Sequence, residues 1–172
     1  MDKLKESKDL LNMMIGYRAA CDEKASIITA VFGVIISAIL LSGGAETIRS
    51  LFNDLNAANI FILILLAVST VALIIGFAYL IATVIPNTGD VGCEGQKELE
   101  LRSKAYFTGI AAKSYEEYKK EFEACNETEY LNDVLSEAYL TAKACDYKYR
   151  YFKRGVILSS IGTLLLLIAL VV

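Results

Sequence analysis

The chain has 172 residues and a formal net charge of −3, and 55% of its residues are hydrophobic. So small a net charge gives no bulk attraction to nucleic acid, and we predict no nucleic-acid partner. The sequence also contains no His, which removes the commonest metal ligand and the usual proton shuttle at physiological pH. Composition therefore argues against a nucleic-acid-binding protein and a zinc enzyme, and it favours a membrane protein.

Three apolar runs without a charged residue determine the predicted fold class. A helix rises 1.5 Å per residue, so a run of 17 residues covers about 26 Å of a hydrocarbon core that is ~30 Å thick. We predict an all-α membrane protein with three transmembrane helices. In chain order, the predicted organisation is an N-terminal amphipathic helix (1–25), a first transmembrane helix (26–42), a loop (43–58), a second transmembrane helix (59–85), a helical region (86–155) and a third transmembrane helix (156–172).

Lys and Arg are distributed unevenly between the connecting segments. Residues 1–25 contain five and residues 86–155 contain eleven, whereas the loop 43–58 contains Arg49 alone. The positive-inside rule therefore predicts that the N-terminus and residues 86–155 lie in the cytoplasm and that the loop lies outside. No CxxC pair occurs, and we interpret the four cysteines as small packing residues: Cys21, Cys93, Cys125 and Cys145.

The segment after Pro86 predicts a linker over 86–95 and then two helices. The first helix is predicted over 96–124, and Asn126 or Thr128 is predicted to cap the second. The second helix carries a seam in steps of four and three: Leu131, Leu135, Ala138, Ala142, Cys145, Tyr149 and Phe152. The N-terminal helix carries a related seam: Leu4, Leu11, Met14, Arg18, Cys21, Ala25 and Ile28. Since neither seam is interrupted before its apolar run, we predict long helical extensions of the spans that form a cytoplasmic bundle or stalk.

The pattern Ala-Cys-Asp-x-Lys occurs twice, at 20–24 and at 144–148, each time just before an apolar run. In both copies the Cys lies on the seam, and we expect the Lys to lie near the lipid headgroups. Arg18 lies four residues before Asp22 and can pair with it. An Arg on an apolar seam needs such a partner, either Asp22 or Asp146. Two interpretations stay open: a coiled stalk with coincidental repetition, or a polar cluster beneath the membrane that binds an anionic ligand.

Motifs that would indicate catalysis are absent from the sequence. There is no GxGxxG, Walker loop, HExxH or GxSxG, and no charged residue lies within an apolar run. Pairs of small residues, Gly33/Ser37 and Ala72/Gly76, predict close helix packing. We therefore predict a protein that is not an enzyme and that has no cofactor.

The sequences around the first and last apolar runs resemble the Pycsar transmembrane effector family. In "YRAACDEKASIITAVFGVIISAIL", an amphipathic helix ends in the family's Asp-x-Lys-Ala motif directly before the first span, here Asp22, Lys24 and Ala25. In "YLTAKACDYKYRYFKRGVILSSIGTLLLL", the last cytoplasmic helix has a Lys-Tyr stretch before the final span, here Lys148 and Tyr149. A Pro after the second span is similar as well.

This resemblance implies a bacterial antiphage effector in the inner (plasma) membrane, with its N-terminus in the cytoplasm. A partner nucleotide cyclase would make a cyclic mononucleotide of the cyclic CMP or cyclic UMP kind, and the effector, expected as a homo-oligomer, would then disrupt the lipid bilayer. The polar cluster at the two repeated stretches, with nearby Tyr side chains, supplies our candidate ligand-binding residues: Arg18, Asp22, Lys24, Tyr106, Asp146, Tyr147, Lys148 and Arg150. Of these, Arg18 and Arg150 would take the phosphate and Tyr147 or Tyr106 the base.

Two other functions stay open on the sequence alone. One is a non-enzymatic membrane scaffold or accessory subunit that docks a partner through its cytoplasmic coiled helices. The other is a small transporter or channel subunit, against which the lack of charge within the spans argues.

Overall fold

The computed structural model describes residues 2–53, 55–85 and 103–171. Within these ranges every regular element is a helix: α1 (Lys3–Ile39), α2 (Ala45–Leu51), α3 (Ala57–Val84), α4 (Phe107–Ala111), α5 (Tyr115–Glu123) and α6 (Glu127–Val171). Three helical stretches are long and apolar enough to cross a membrane, namely Lys3–Leu51, α3 and α6. The predicted all-α membrane fold is therefore confirmed. The predicted linker at 86–95, with Pro86 and Cys93, lies outside the described residues.

Helices α1 and α6 are far longer than their apolar runs. They contain 37 and 45 residues, and at 1.5 Å per residue they measure about 56 Å and about 68 Å. Neither contains Pro, whose ring would interrupt the hydrogen-bond ladder. Both stay helical through residues 22–26 and 150–156, where the apolar runs begin. The predicted helical extensions are thus continuous with the first and third spans.

Asparagine side chains cap the beginnings of two of the long helices. The Asn126 amide oxygen accepts a hydrogen bond from the Glu129 N–H at 2.9 Å, which confirms Asn126 as the cap of α6. The Asn56 amide oxygen likewise accepts from the Asn59 N–H at 2.8 Å, ahead of α3. A cap of this kind stabilises a helix by about 0.5–2 kcal/mol, because it satisfies an otherwise unpaired N–H.

A tight turn ends the first long helix. Gly43 has a φ of 102°, a backbone conformation that a Cβ atom makes strained. After this kink α2 begins, and Leu51 of α2 is buried. The predicted loop over 43–58 therefore includes a short helix.

The helix predicted over 96–124 is wrong in its described part, which holds two short helices, α4 and α5, with a break at 112–114. The physical reason is Ser114, whose backbone is extended and whose hydroxyl accepts a hydrogen bond from the Glu117 N–H at 3.3 Å. The sequence Ser-Tyr-Glu-Glu is a capping-box signal, which favours a new helix start over continuation.

The chain divides into two compact units: unit 1 comprises residues 1–20 and 86–148, and unit 2 comprises residues 21–85 and 149–172. In unit 1, α1 and α6 lie side by side and run in the same direction. The Lys8 ammonium lies 5.1 Å from the centre of the Tyr130 ring, and further along the Cys145 thiol donates to the Met14 carbonyl oxygen at 3.4 Å. Such a close approach to a neighbouring backbone requires a small side chain, as predicted for Cys145.

In unit 2, α3 and α6 run antiparallel and meet through small residues. A Cβ atom placed on Gly76 would lie 2.5 Å from the Ser159 hydroxyl oxygen, so only glycine fits there. The Ser69 hydroxyl donates to the Gly162 carbonyl oxygen at 2.8 Å, a bond between the two helices. The buried positions of α3 follow steps of four and three: Ile62, Leu66, Ser69, Leu73, Gly76, Leu80 and Thr83. This is the spacing of left-handed helix packing in membranes.

Of the two predicted small-residue pairs, one takes part in this packing. Gly76 contacts α6, whereas a Cβ atom on Gly33 would have no neighbour within 4 Å and Ser37 is exposed. Within the described part of the chain, the Gly33/Ser37 pair is therefore not a packing surface.

The seam predicted on α6 is wrong at alternate positions. Leu135 is 43% exposed and Tyr149 is 36% exposed. The predicted Ala138 and Cys145 are buried. The other buried positions of α6 are Val134, Glu137, Leu140, Thr141, Lys148, Gly155, Ser159, Gly162, Thr163, Leu166 and Ala169. Gly162 and Gly155 explain which face of α6 is buried. Positions seven residues apart lie on nearly the same face of a helix, and the series that contains these glycines continues to Lys148 and Thr141, not to the more apolar residues next to them.

Candidate functional site

The eight residues predicted to bind a ligand are divided between the two units. Unit 1 contains Arg18, Tyr106, Asp146, Tyr147 and Lys148. Unit 2 contains Asp22, Lys24 and Arg150. Their convergence on one ligand stays a prediction, as does the pairing of Arg18 with Asp22.

The predicted residues differ in their exposure to solvent. Lys148 is buried, with 4% of its surface exposed, and its position near the lipid headgroups stays a prediction. Lys24, Asp146 and Arg150 are exposed, and the other four are half-buried. Half-buried aromatic and basic side chains are suited to ligand contact, because they are ordered by packing and still accessible.

A polar group in unit 1, here called the Lys104 cluster, consists of Ser103, Lys104, Glu129 and Asp133. The Lys104 ammonium lies 3.3 Å from a Glu129 carboxylate oxygen, and the Lys104 backbone N–H donates to Asp133 at 3.2 Å. The buried Ser103 hydroxyl accepts a hydrogen bond from the Tyr106 N–H at 3.1 Å. The cluster thus attaches the segment that carries Tyr106 to the first turns of α6.

Electrostatics give the Lys104 cluster a structural role rather than an anion-binding one. The Cys125 thiol and then the Glu129 carboxylate raise the pKa of the Lys104 ammonium above its ordinary value. Lys104 in turn lowers the pKa of the Glu129 carboxyl group. Asp133 accepts from the Lys104 backbone N–H, so the cluster contains two carboxylates and one ammonium, and its net negative charge disfavours a phosphate.

The sequence predictions did not include this cluster, although one signal pointed to it. Glu129 and Asp133 are four residues apart and so share one face of α6, where they form an acidic patch. A Lys in the preceding segment is the natural partner of such a patch.

A second feature lies in unit 2, where Ile28 of α1 and one face of α6 line an open, almost wholly apolar groove of about 520 Å³. We call it the interfacial groove, and the α6 residues that line it are Tyr149, Arg150, Phe152, Lys153, Val156 and Ile157. Arg150 was predicted to contact a phosphate, but the role of Lys153 in the same groove was missed. Among the described residues, no group of Cys, Asp and Glu could hold a metal ion.

Residues 6–172 match the family model described as the Pycsar effector protein domain. The Pycsar effector protein GmPycTM of Gulbenkiania mobilis is 22% identical to this chain over 147 residues, which cover 79% of this chain and 75% of that protein. No solved structure matches the chain significantly. The matched region includes all eight predicted ligand residues and all three apolar helices.

Proposed function

This chain belongs to the Pycsar effector family, and we propose on that premise that it is a membrane effector of a bacterial antiphage system. In this proposal the effector responds to a cyclic mononucleotide, of the cyclic CMP or cyclic UMP kind, that a partner cyclase makes after infection. The response is disruption of the inner membrane and involves no enzymatic step.

The observation that carries this proposal is the continuity of α1 and α6. Each helix supplies residues to unit 1 and to unit 2, with no helix break between them. A helix without a break resists bending, so a shift or rotation of its cytoplasmic part is felt in its membrane part. The ligand must bind one packing arrangement more tightly than the other, since a ligand changes an equilibrium only by differential affinity.

We place the ligand among the residues predicted from the sequence. Arg18 and Arg150 would hold the phosphate, and Tyr147 or Tyr106 would stack on the base. The Lys104 cluster supports the role of Tyr106, because it fixes the backbone of that residue before any ligand binds. The remaining contacts would come from Asp22, Lys24, Asp146 and Lys148.

We also propose a homo-oligomer with the N-terminus in the cytoplasm. The orientation follows from the excess of Lys and Arg on that side. The oligomer is supported by the exposure of the first span, because the rest of a single chain buries little of its surface. In its most apolar window 6% of the residues are buried, against 33% in that of α6.

The test is permeability of cells that carry the effector together with a pyrimidine nucleotide cyclase. We expect a membrane-impermeant DNA dye to enter only with the active cyclase, and not with a catalytically dead cyclase variant. Arg18→Gln should abolish entry, whereas Arg49→Gln, which removes the same charge from the outer loop, should not. No dye entry with any cyclic nucleotide would overturn the proposal.

The same experiment separates the two other candidate functions. A scaffold or accessory subunit would co-purify with a membrane partner and would give no dye entry with either cyclase. A transporter or channel subunit would give ion flux without the cyclase.

A further inference from the structure

The two sides of the α1–α6 pair in unit 1 are covered unequally. On one side α5 packs against α6, where the ring centres of Phe122 and Tyr130 lie 6.0 Å apart. Leu135 follows Tyr130 by five residues, which places the two side chains about 140° apart around the helix. Leu135 thus lies on the other side of α6, where it lines an open groove of about 330 Å³ together with Leu10 of α1.

Large apolar side chains stay exposed on this other side, which we call the uncovered face. Leu135 and Tyr139 lie one turn apart on α6, and Leu10, Met13 and Tyr17 follow one face of α1 in steps of three and four. Each of the five has 40–53% of its surface exposed. Half of five such side chains, at ~200 Å² each, amounts to roughly 500 Å² of exposed apolar surface.

A surface of this kind is a binding surface when water is the alternative. Unit 1 consists of residues 1–20 and 86–148, which lie outside the three apolar runs, so lipid does not cover the uncovered face. Contiguous apolar patches of several hundred Å² on water-exposed parts of proteins mark contact sites, and Tyr and Met are enriched at such sites. The exposed area is more than half of the ~800 Å² that each partner buries in a stable interface of standard size.

Orientation and charge both favour a second copy of this chain as the partner. Copies in one membrane insert in the same direction, so a two-fold axis along the membrane normal brings their unit 1 parts together in parallel and at the same level. Lys3 and Glu6 are exposed, lie three residues apart and line the groove beside Leu10. In a two-fold pair Lys3 of each copy can meet Glu6 of the other, so the uncovered face is complementary to itself in charge as well as in its apolar surface.

We infer that the uncovered face is the contact between two copies of this chain. Leu10, Leu135 and Tyr139 form the centre of the contact, and Lys3 and Glu6 form its rim. The inference rests on the proposed homo-oligomer and not on the nucleotide response. Its tests use cells without a cyclase, so a failure of the contact is seen separately from a failure of the dye-entry experiment.

Photocross-linking in intact membranes tests the contact directly. Two full-length copies with different affinity tags are expressed together, and one copy carries p-benzoylphenylalanine in place of Tyr139. We expect a product of twice the chain mass that contains both tags. The matched control places the same amino acid at Tyr115, which is exposed on α5, and should give at least tenfold less of this product. Equal yields from both positions, or cross-links from Tyr139 only within one chain or to a different protein, would overturn the inference.

A charge placed at the centre of the uncovered face gives a second test. Leu135→Glu should lower the yield of the Tyr139 cross-link at least fivefold, whereas Tyr115→Glu should keep it within about twofold. Both side chains are exposed in the single chain, so neither change disturbs its packing, and the melting temperature of the monomer fraction checks this. An undiminished yield in Leu135→Glu would overturn the inference.

The rim charges distinguish a two-fold contact from nonspecific adhesion of apolar surfaces. Lys3→Glu in both copies makes the rim acidic and Glu6→Lys in both makes it basic, so each should lower the yield about two- to threefold, since exposed ion pairs contribute little. One copy with Lys3→Glu and one with Glu6→Lys should restore it. A yield in the mixed pair no higher than in the like pairs would contradict a contact between two copies of this face.

Discussion

The close approach of α3 and α6 in unit 2 makes Gly76 the most informative position for a single substitution. A methyl group at Gly76 would lie 2.7 Å from the Ser159 backbone nitrogen and 3.1 Å from its Cα. These are backbone atoms, so no side-chain rotation relieves the overlap. Ordinary contact begins near 3.4 Å, so in Gly76→Ala the two helices must separate by about 0.7 Å.

The cost of that separation can be estimated from its parts. Overpacking of a well-packed site costs about 1–3 kcal/mol. The separation also weakens the nearby hydrogen bond from Ser69 to Gly162, an interhelical bond of a type that contributes about 0.6 kcal/mol in membranes. Replacing Gly by Ala in a helix returns up to about 1 kcal/mol through helix propensity. The net loss for Gly76→Ala is therefore about 1–2 kcal/mol, which lowers the melting temperature by about 2–8 °C in a chain of this length.

The assay is thermal unfolding of the monomer fraction in detergent, followed with a dye that fluoresces on reaction with thiols. Buried Cys21 and Cys145 become reactive only when the helices separate. Gly33→Ala is the matched control, because a Cβ atom there meets nothing within 4 Å. We expect its melting temperature to stay unchanged or to rise. An equal decrease in both variants, or a rise in Gly76→Ala, would refute the packing described here.

Three further predictions use thermal unfolding as well, the first two with the thiol dye. Ser69→Ala removes the hydrogen bond to Gly162 and should cost about 0.6 kcal/mol; no change would show that this bond does not stabilise the pair. Gly43→Ala forces a side chain into positive φ and should cost about 1 kcal/mol, whereas an unchanged melting temperature would contradict a strained turn. Because the pKa of Glu129 is lowered by Lys104, their pairing contributes above the ordinary carboxyl pKa of 4.5 and is lost as the pH falls below it. Glu129→Gln should therefore melt below the parent protein at pH 7 and equal it near pH 3. This comparison is followed by the loss of helical circular dichroism, because thiols do not react with the dye in acid. A difference that persists in acid would contradict this assignment.

The long helices were predictable because their signals are local. Uncharged apolar runs define the spans, and the absence of Pro lets α1 and α6 continue through them. The Asn126 cap was also predictable, since a short polar side chain before a periodic stretch favours a helix start. The break at Ser114 was not predicted although its capping-box signal is present. The apolar stripe of the predicted helix over 96–124 continues on both sides of Ser114 and favours one continuous helix.

The buried face of α6 could not be chosen from local pattern alone. The predicted seam includes the buried Ala138 and Cys145, but at other steps it falls one residue after the buried position, as with Leu135 beside Val134. Lys148 is buried although Lys is among the most polar residues, so hydrophobicity alone would not place it on the buried face. The deciding contact is tertiary, because Gly155 and Gly162 let α3 approach and thereby fix which face of α6 is covered.

The candidate site was predictable in part for the same reason. Arg150 lies on the interfacial groove, but the participation of Ile28 and Lys153 depends on α1 and α6 meeting at that level. The Lys104 cluster similarly needs a segment of irregular backbone to be placed against α6. Such contacts between distant residues carry no periodic signal.

Release of an entrapped dye from liposomes that contain only the purified protein tests the central claim most directly. The liposomes, of phosphatidylethanolamine and phosphatidylglycerol, are treated with cyclic CMP, cyclic UMP or the matching linear 5′-monophosphates. A nucleotide-gated effector releases the dye with a cyclic nucleotide and retains it with the linear ones. Release without any nucleotide, or retention with every cyclic nucleotide, would contradict the account.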